Sequence, residues 1–371
     1  MSLIIAEIGT SHEGNISKAK ALIDAACDSG ADAVKFQWVY ADEILHPDTG
    51  FVKLPTGNIP LYERFKQLEC SFDFYVEVAQ YARFKNVKFI CSPFGLKSLE
   101  ELLKLSPFAV KIASPELNHF PMLKVLAQYR KNQEFNNENP VPVILSSGVS
   151  KLADIEKAVE IMGRKNVSLL HCITSYPAPE NEYNVKLVET LSGIFGIDTG
   201  ISDHSLDPIL VPSLSIICGG KIIEKHITLS RKTSGLDDPV ALEPEQFALM
   251  VHCVHQTEAA VSRYGIERAK EELFSQFEES YGRKKFIEVL GDGVKRLAPS
   301  EKDNYGRTNR SLHFMRAMKK GDVVKPEDIA VLRTEKVLST GIGPEFLDMI
   351  YGKQLSCDVQ NGAGVRFEDF M

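Results

Sequence analysis

The feature that most constrains this chain is an alternation that repeats eight times between Leu3 and Tyr264. Short apolar runs occur at Leu3–Ile8, Ala33–Phe36, Val87–Cys91, Ala109–Ile112, Val141–Leu145, Val167–His171, Gly200–Ile201 and Lys221–Ile223. The stretches Ser17–Ser29, Phe72–Lys85, Lys97–Leu105, Pro121–Tyr129, Ser150–Met162, Val185–Phe195, Pro208–Cys218 and Pro244–Tyr264 carry apolar residues three and four apart, the period of a helix with one buried face. The runs are short enough to be strands, and buried strands separated by helices form a parallel sheet. Eight such units match a (β/α)8 TIM barrel, typically about 250 residues. The rival, a doubly wound open sheet, would show a Gly-rich phosphate turn after an early strand. The glycines of EIGTSHEGN stand too far apart for GxGxxG.

Beyond Tyr264 the pattern changes. Residues 267–308 are polar and charged and read as a linker, with a helix expected over Ala269–Glu279. Residues 309–371 read as a compact β-rich domain, in which KKGDVVKPEDI and QNGAGVRFEDF form a weak internal repeat. The expected organisation is a barrel over 1–266, a connection over 267–308 and a small domain over 309–371.

Lys and Arg number 43 against 50 Asp and Glu, a net charge of −7. Such a chain is a poor partner for nucleic acid, and any phosphate must be held by a few placed groups. No apolar run approaches the ~20 residues of a membrane span. The N-terminal MSLIIAEIG lacks a signal-peptide pattern, and the seven scattered cysteines include no CxxC pair. Both point to a reduced, cytoplasmic setting.

In a barrel of this kind the site lies at the carboxyl ends of the strands. Polar residues gather there: Glu7, Ser11, His12 and Glu13 after the first run, Lys35 and Gln37 at the second, Ser92 at the third, and Lys111, Ser114 and Glu116 at the fourth. Ser146 and Ser147 follow, then His171, Thr174 and Tyr176, then Ser202, Asp203 and His204, and finally Glu224, Lys225 and His226. Lys35 and Lys111 each sit inside an apolar run, where a lysine is expensive unless it meets an anion. That anion is either a bound phosphate or carboxylate, for which the nearby serines are suited, or a buried Glu7 or Glu224. His204 and His226 end neighbouring staves, and paired imidazoles are common ligands of divalent metal. With Glu13 and water they would suit Mn²⁺ better than zinc, which usually takes three protein ligands. The alternative for each is a hydrogen-bonded core histidine.

The set AEIGTSHEGN, DAVKFQ, CSPF, VKIASPEL, LSSGV, LLHCITSYP, GISDHSLD and EKHIT, in this order, resembles the sialic acid synthase family. The C-terminal part resembles the antifreeze-protein-like (SAF) domain of the same enzymes. The resemblance implies condensation of phosphoenolpyruvate with an N-acyl amino-sugar aldose, such as N-acetylmannosamine, with release of phosphate. It implies that Lys35, Ser92, Lys111, Ser114, Ser146 and Ser202 hold phosphoenolpyruvate. It gives His204 and His226 as ligands of Mn²⁺, with Mg²⁺ or Co²⁺ as alternatives, and Glu13 as an acid/base or sugar contact. Gln37, Glu116, Tyr176 and Asp237 would contact the sugar. Arg333 would reach the barrel of a partner subunit, in a domain-swapped homodimer.

Several positions depart from the family pattern: Ser11 where asparagine is usual, Pro115 for glycine, Thr174 for asparagine and Thr334 for proline. The polar stretches 130–139 and 270–285 look inserted. These changes bear on the acceptor sugar more than on the reaction. Two rivals remain: a related aldolase or synthase acting on another sugar, and a non-catalytic sugar-binding homologue. A Schiff-base aldolase would need a deprotonated lysine and no metal.

Overall fold

A computed structural model of the chain describes residues 1–54, 57–233 and 235–371. Eight parallel strands close into a barrel in chain order: β1 (Leu3–Gly9), β2 (Ala33–Trp38), β3 (Lys88–Pro93), β4 (Ala109–Ile112), β5 (Val143–Ser146), β6 (Val167–Cys172), β7 (Asp198–Asp203) and β8 (Ile222–His226). The longer helices between and after them are α1 (Ile16–Asp28), α2 (Phe72–Phe84), α3 (Leu96–Lys104), α4 (Phe120–Phe135), α5 (Leu152–Met162), α6 (Leu187–Phe195), α7 (Leu210–Ile217) and α8 (Pro244–Tyr264). Each expected strand is present, and the (β/α)8 class follows. The hairpin formed by Phe51–Leu54 and Gly57–Pro60, inserted before α2, was not foreseen.

The alternation of side chains along a strand sorts the barrel into two environments. Ile4, Ala6, Ile8, Val34 and Phe36 point outward and join the helices in one large core. Ile5, Ala33, Ile90, Ala109, Ile144, Leu170 and Ile222 point inward and form a separate apolar plug. Gly200 belongs to this crowded region, because a Cβ there would lie 2.0 Å from the Ile222 carbonyl oxygen. Two residues further along the strands the inward positions are no longer apolar. The register pairs Glu7 with Lys35, Cys172 with Ser202, Ser202 with Glu224, and Glu7 with His226. The plug closes the bottom, and polar groups crowd the mouth.

The segment read as a linker carries two helices, α9 (Ile266–Tyr281) and α10 (Arg283–Leu290), and Phe286, Val289 and Leu290 of α10 join the barrel's outer core. The chain then crosses the mouth to β9 (Arg310–Phe314), which pairs antiparallel with β10 (Ile329–Arg333). These strands have their own core, with Leu312, Phe314, Met318, Val324, Ile350, Leu355 and Val365 among its members. The internal repeat is real in conformation. Each half ends in a single 3-10 turn whose aspartate caps the preceding backbone: Lys325 N donates to Asp328 Oδ2 at 2.9 Å, and Arg366 N to Asp369 Oδ2 at 2.7 Å. No helix among the described residues is long and apolar enough to cross a membrane.

Candidate active site

At the level of Glu7, four charged side chains meet inside the barrel. Lys35 Nζ lies 3.2 Å from Glu7 Oε1 and 3.3 Å from Glu224 Oε1. Gln37 Nε2 donates to Glu7 Oε1 at 2.8 Å, and Ser202 Oγ to Glu224 Oε1 at 2.8 Å. Lys111 Nζ donates to Ser146 Oγ at 2.6 Å and to the Ile112 carbonyl at 3.1 Å. All four charged residues are at most 4 % exposed. Of the two anions the sequence left open for Lys35, the buried carboxylates are the ones in contact here.

Burial and neighbours set the charge states. Burial pushes Glu7 up to about 7, against the pull of Lys35. Burial would also raise Glu224, but Lys111 and Lys35 outweigh it and hold the carboxyl below its usual range. For Lys35, burial is outweighed by Glu224 and Glu7, so its ammonium is held firmly. Among the described residues Lys111 has no carboxylate in ion-pair contact, and burial brings it down to about 8. Lys111 is therefore the cation in this layer whose need for an anion is least satisfied. Among the described residues Ser92 Oγ, Glu7 Oε2 and Glu224 Oε2 are buried polar atoms without a hydrogen-bond partner. Such atoms in a mouth otherwise rich in hydrogen bonds fit a ligand that supplies the partners.

One layer higher stand the histidines. The rings of His204 and His226 lie 5.3 Å apart between centroids, and Tyr176 stacks on His204 at 4.3 Å. His204 Nδ1 donates to the Ile173 carbonyl at 2.9 Å, and although burial opposes it, Cys172 and this carbonyl push the imidazole up to about 9, so Nε2 is the nitrogen that would give up its proton to ligate a cation. Cys172 Sγ lies 3.9 Å from the same Nδ1. Burial, reinforced by His204, holds His226 well below the ordinary imidazole range, so its ring is neutral. Asp237 Oδ2 lies 3.9 Å from His226 Nδ1, and burial raises the Asp237 carboxyl. Two neighbouring imidazoles, one with its second nitrogen fixed by a carbonyl, are a donor set that fits a divalent cation. Among the described residues they are not joined by a third carboxylate, thiolate or imidazole in ligating range.

The remaining expected residues are engaged otherwise. Ser114 Oγ accepts from Gly148 N at 3.0 Å. Glu13, at the lip with φ +49°, shares its carboxylate with Lys18 Nζ at 3.1 Å and with Arg64 at 3.7 Å. Glu116 is fully buried and held by two arginines of the C-terminal part. Arg310 Nε binds one carboxylate oxygen, and Arg333 binds the other, with Nε at 3.1 Å. Arg310 and Arg333 outweigh the effect of burial and keep Glu116 below the usual carboxylate range. Arg333 thus reaches the barrel of its own chain, where the resemblance implied the barrel of a partner.

Three residues counted at the rim face outward instead. His171 is bonded through Nε2 to the Tyr183 carbonyl at 2.5 Å, and Asp203 pairs with Lys225 at 2.6 Å behind the barrel wall. Period-two alternation puts them one residue out of phase with Ser202, Glu224 and His226. Glu7 and Glu224, the alternative partners expected for Lys35, lie on the inward face, Glu224 two residues from His226. Arg310 carried no local signal at all.

A parallel barrel with a buried lattice of lysines and carboxylates at its mouth, and paired imidazoles above it, defines an enzyme whose site lies at the C-terminal ends of its strands. Residues 22–265 match the NeuB family, and the chain belongs to that family of synthases. It is 30 % identical to the N,N'-diacetyllegionaminic acid synthase of Campylobacter jejuni, over 96 % of this chain and 98 % of the other. The crystal structure of the spore coat polysaccharide biosynthesis protein SpsE of Bacillus subtilis superposes with a TM-score of 0.79 at 29 % identity, covering 100 % of this chain and 95 % of the other. That of the N-acetylneuraminic acid synthetase of Leptospira borgpetersenii, solved with citrate, gives 0.63 at 29 % identity, covering 76 % and 93 %.

Proposed function

We propose that the enzyme is a nonulosonic acid synthase that joins phosphoenolpyruvate to an N-acyl amino-sugar aldose and releases phosphate. The observation that carries this reading is the convergence of Lys35 and Lys111 with Ser146 and Ser202 beneath His204 and His226. Two ammonium groups suit a substrate with a carboxylate and a phosphate, and relatives named as legionaminic and sialic acid synthases support the product class.

Carbon three of the enol attacks the sugar aldehyde, whose oxygen takes a proton. Water adds to carbon two of the former enol, and the tetrahedral centre loses phosphate by cleavage of its carbon–oxygen bond. Lys111 and Lys35 fix the two anionic groups and stabilise the departing phosphate. Burial keeps Glu7 near 7, so it can exchange a proton close to neutral pH beside the substrate. Tyr176, Gln37 and Asp237 line the approach of the sugar. His204 and His226 would hold a divalent cation, Mn²⁺ by preference, which supplies Lewis-acid polarisation of the aldehyde oxygen when bound.

A homodimer is part of this reading. Exchanging the C-terminal part between two copies would replace each Arg333–Glu116 pair by its intermolecular equivalent, as domain swapping does. The test of the reaction is phosphate release from phosphoenolpyruvate. Release that requires both an N-acyl amino aldose and a divalent cation supports the reading. Release without an acceptor, or none with any acceptor, contradicts it.

A further inference from the structure

Glu301 lies in the segment between α10 and β9, far in sequence from the mouth, yet it is 1 % exposed. Its carboxylate accepts three backbone N–H groups. Oε1 takes those of Val149 and Thr174, each at 2.8 Å, and Oε2 takes that of Ala298 at 3.2 Å. Val149 follows β5 and Thr174 follows β6, so one carboxylate ties together two loops of the mouth. The same segment binds the first loop twice more. Lys295 Nζ donates to the Ser147 carbonyl at 2.9 Å, and Asn309 Nδ2 to the Val149 carbonyl at 3.1 Å.

The loop so held would not hold itself. Val149 is β-branched and has φ +42°, a region such residues avoid unless their surroundings impose it. The two loops also touch, since a Cβ on Gly148 would lie 2.1 Å from Thr174 Oγ1. Gly148 N in turn donates to Ser114 Oγ. The anchored loops run directly on from Ser146, the partner of Lys111, and into Tyr176, which stacks on His204.

We propose that Glu301 is a positioning residue, the centre of a strap formed by residues 295–309 that fixes the β5 and β6 loops and thereby sets Ser146, Ser114 and Tyr176 for the reaction. This rests on the function proposed above. Glu301 touches no substrate. It acts through the backbone amides of Val149 and Thr174, and orientation rather than binding is what its loss would cost.

The test compares the full-length wild type with Glu301→Ala and Glu301→Gln by hydrogen exchange and by kinetics of phosphate release. In Glu301→Ala, amides over 147–150 and 173–176 are expected to exchange at least about tenfold faster, the factor for one lost hydrogen bond to a charged acceptor. Exchange over β1 and β2 should stay as in the wild type. The kcat is expected to fall at least about tenfold, with both KM values changed less than about threefold. Glu301→Gln keeps an Oε1 acceptor for both amides and should restore protection and most of kcat. Wild-type exchange in Glu301→Ala, or Gln behaving as Ala does, overturns the proposal. If Glu301→Ala yields no folded protein, Glu301→Asp, too short to reach both amides, takes its place. The same exchange pattern is expected there, and wild-type protection overturns the proposal. If the wild type itself turns over no sugar, the functional reading fails, while the exchange data still decide whether the strap anchors the loops.

Discussion

Arg333 on β10 donates through Nε to Glu116 Oε1 at 3.1 Å, across 217 positions of sequence. Arg310 takes the other oxygen, so two guanidinium groups share one buried carboxylate as their counter-charge where the C-terminal part meets the barrel.

Glu116→Gln leaves both arginines without their counter-charge. Removing one partner of a buried pair costs about 3–5 kcal/mol, and urea unfolding should show a loss of that order. The Glu116 carboxyl is held below its unfolded value, so its contribution is present above the unfolded pKa and is lost as pH falls through the folded one. The wild type should therefore lose part of its advantage over Glu116→Gln in acid. A loss below about 1 kcal/mol at neutral pH would mean that the pair behaves as an exposed one.

Lys111 gives a pH signature. Burial lowers it to about 8, so between that value and 10.5 the unfolded chain binds the proton more tightly than the folded one. Its burial penalty is therefore full below about 8 and is relieved as pH rises toward 10.5, so this group makes stability increase across that window. Binding of an anion should show the opposite trend, weakening above about pH 8 as the ammonium is lost. Lys111→Ala should raise the phosphoenolpyruvate KM steeply and flatten this pH dependence. An unchanged KM would remove Lys111 from the pocket.

How much of this was legible in the sequence depended on the range of the signal. The eight staves were readable because a buried parallel strand is a run of apolar residues whatever its neighbours are. Lys35 and Lys111 stood out for the same reason, as charges inside such runs. Which end-of-strand residue faces inward was harder. His171, Asp203 and Lys225 lie one position from Cys172, Ser202 and Glu224, and a shift of one residue along a strand reverses the face. Arg310 pairs with a residue 194 positions away, and no local pattern announces such a contact. Glu301 was hidden inside a polar stretch, where a buried carboxylate looks like a solvated one.

His204→Ala and His226→Ala should each abolish cation-dependent turnover while the unfolding midpoint stays close to the wild type. Mn²⁺ binding measured by electron paramagnetic resonance should weaken by at least about tenfold, the loss that removing even an outer-shell partner of a ligand causes. Full activity after exhaustive chelation would contradict the assignment of this pair.

The resemblance implies that Arg333 meets the N-acyl group of the sugar, so Arg333→Ala should raise the KM for the sugar by about tenfold or more, the cost of a charged hydrogen bond, and leave the phosphoenolpyruvate KM within about threefold. Equal effects on both substrates would mean that Arg333 only secures the C-terminal part to Glu116.

The most direct test of the central claim follows carbon. Phosphoenolpyruvate labelled with ¹³C at all three carbons is incubated with Mn²⁺ and a panel of N-acyl hexosamines, and the products are weighed by mass spectrometry alongside released phosphate. The expected result is a keto acid carrying the three labelled carbons joined to one acceptor, with one phosphate released per product. Phosphate without a joined product, or labelled pyruvate alone with every acceptor, would contradict it.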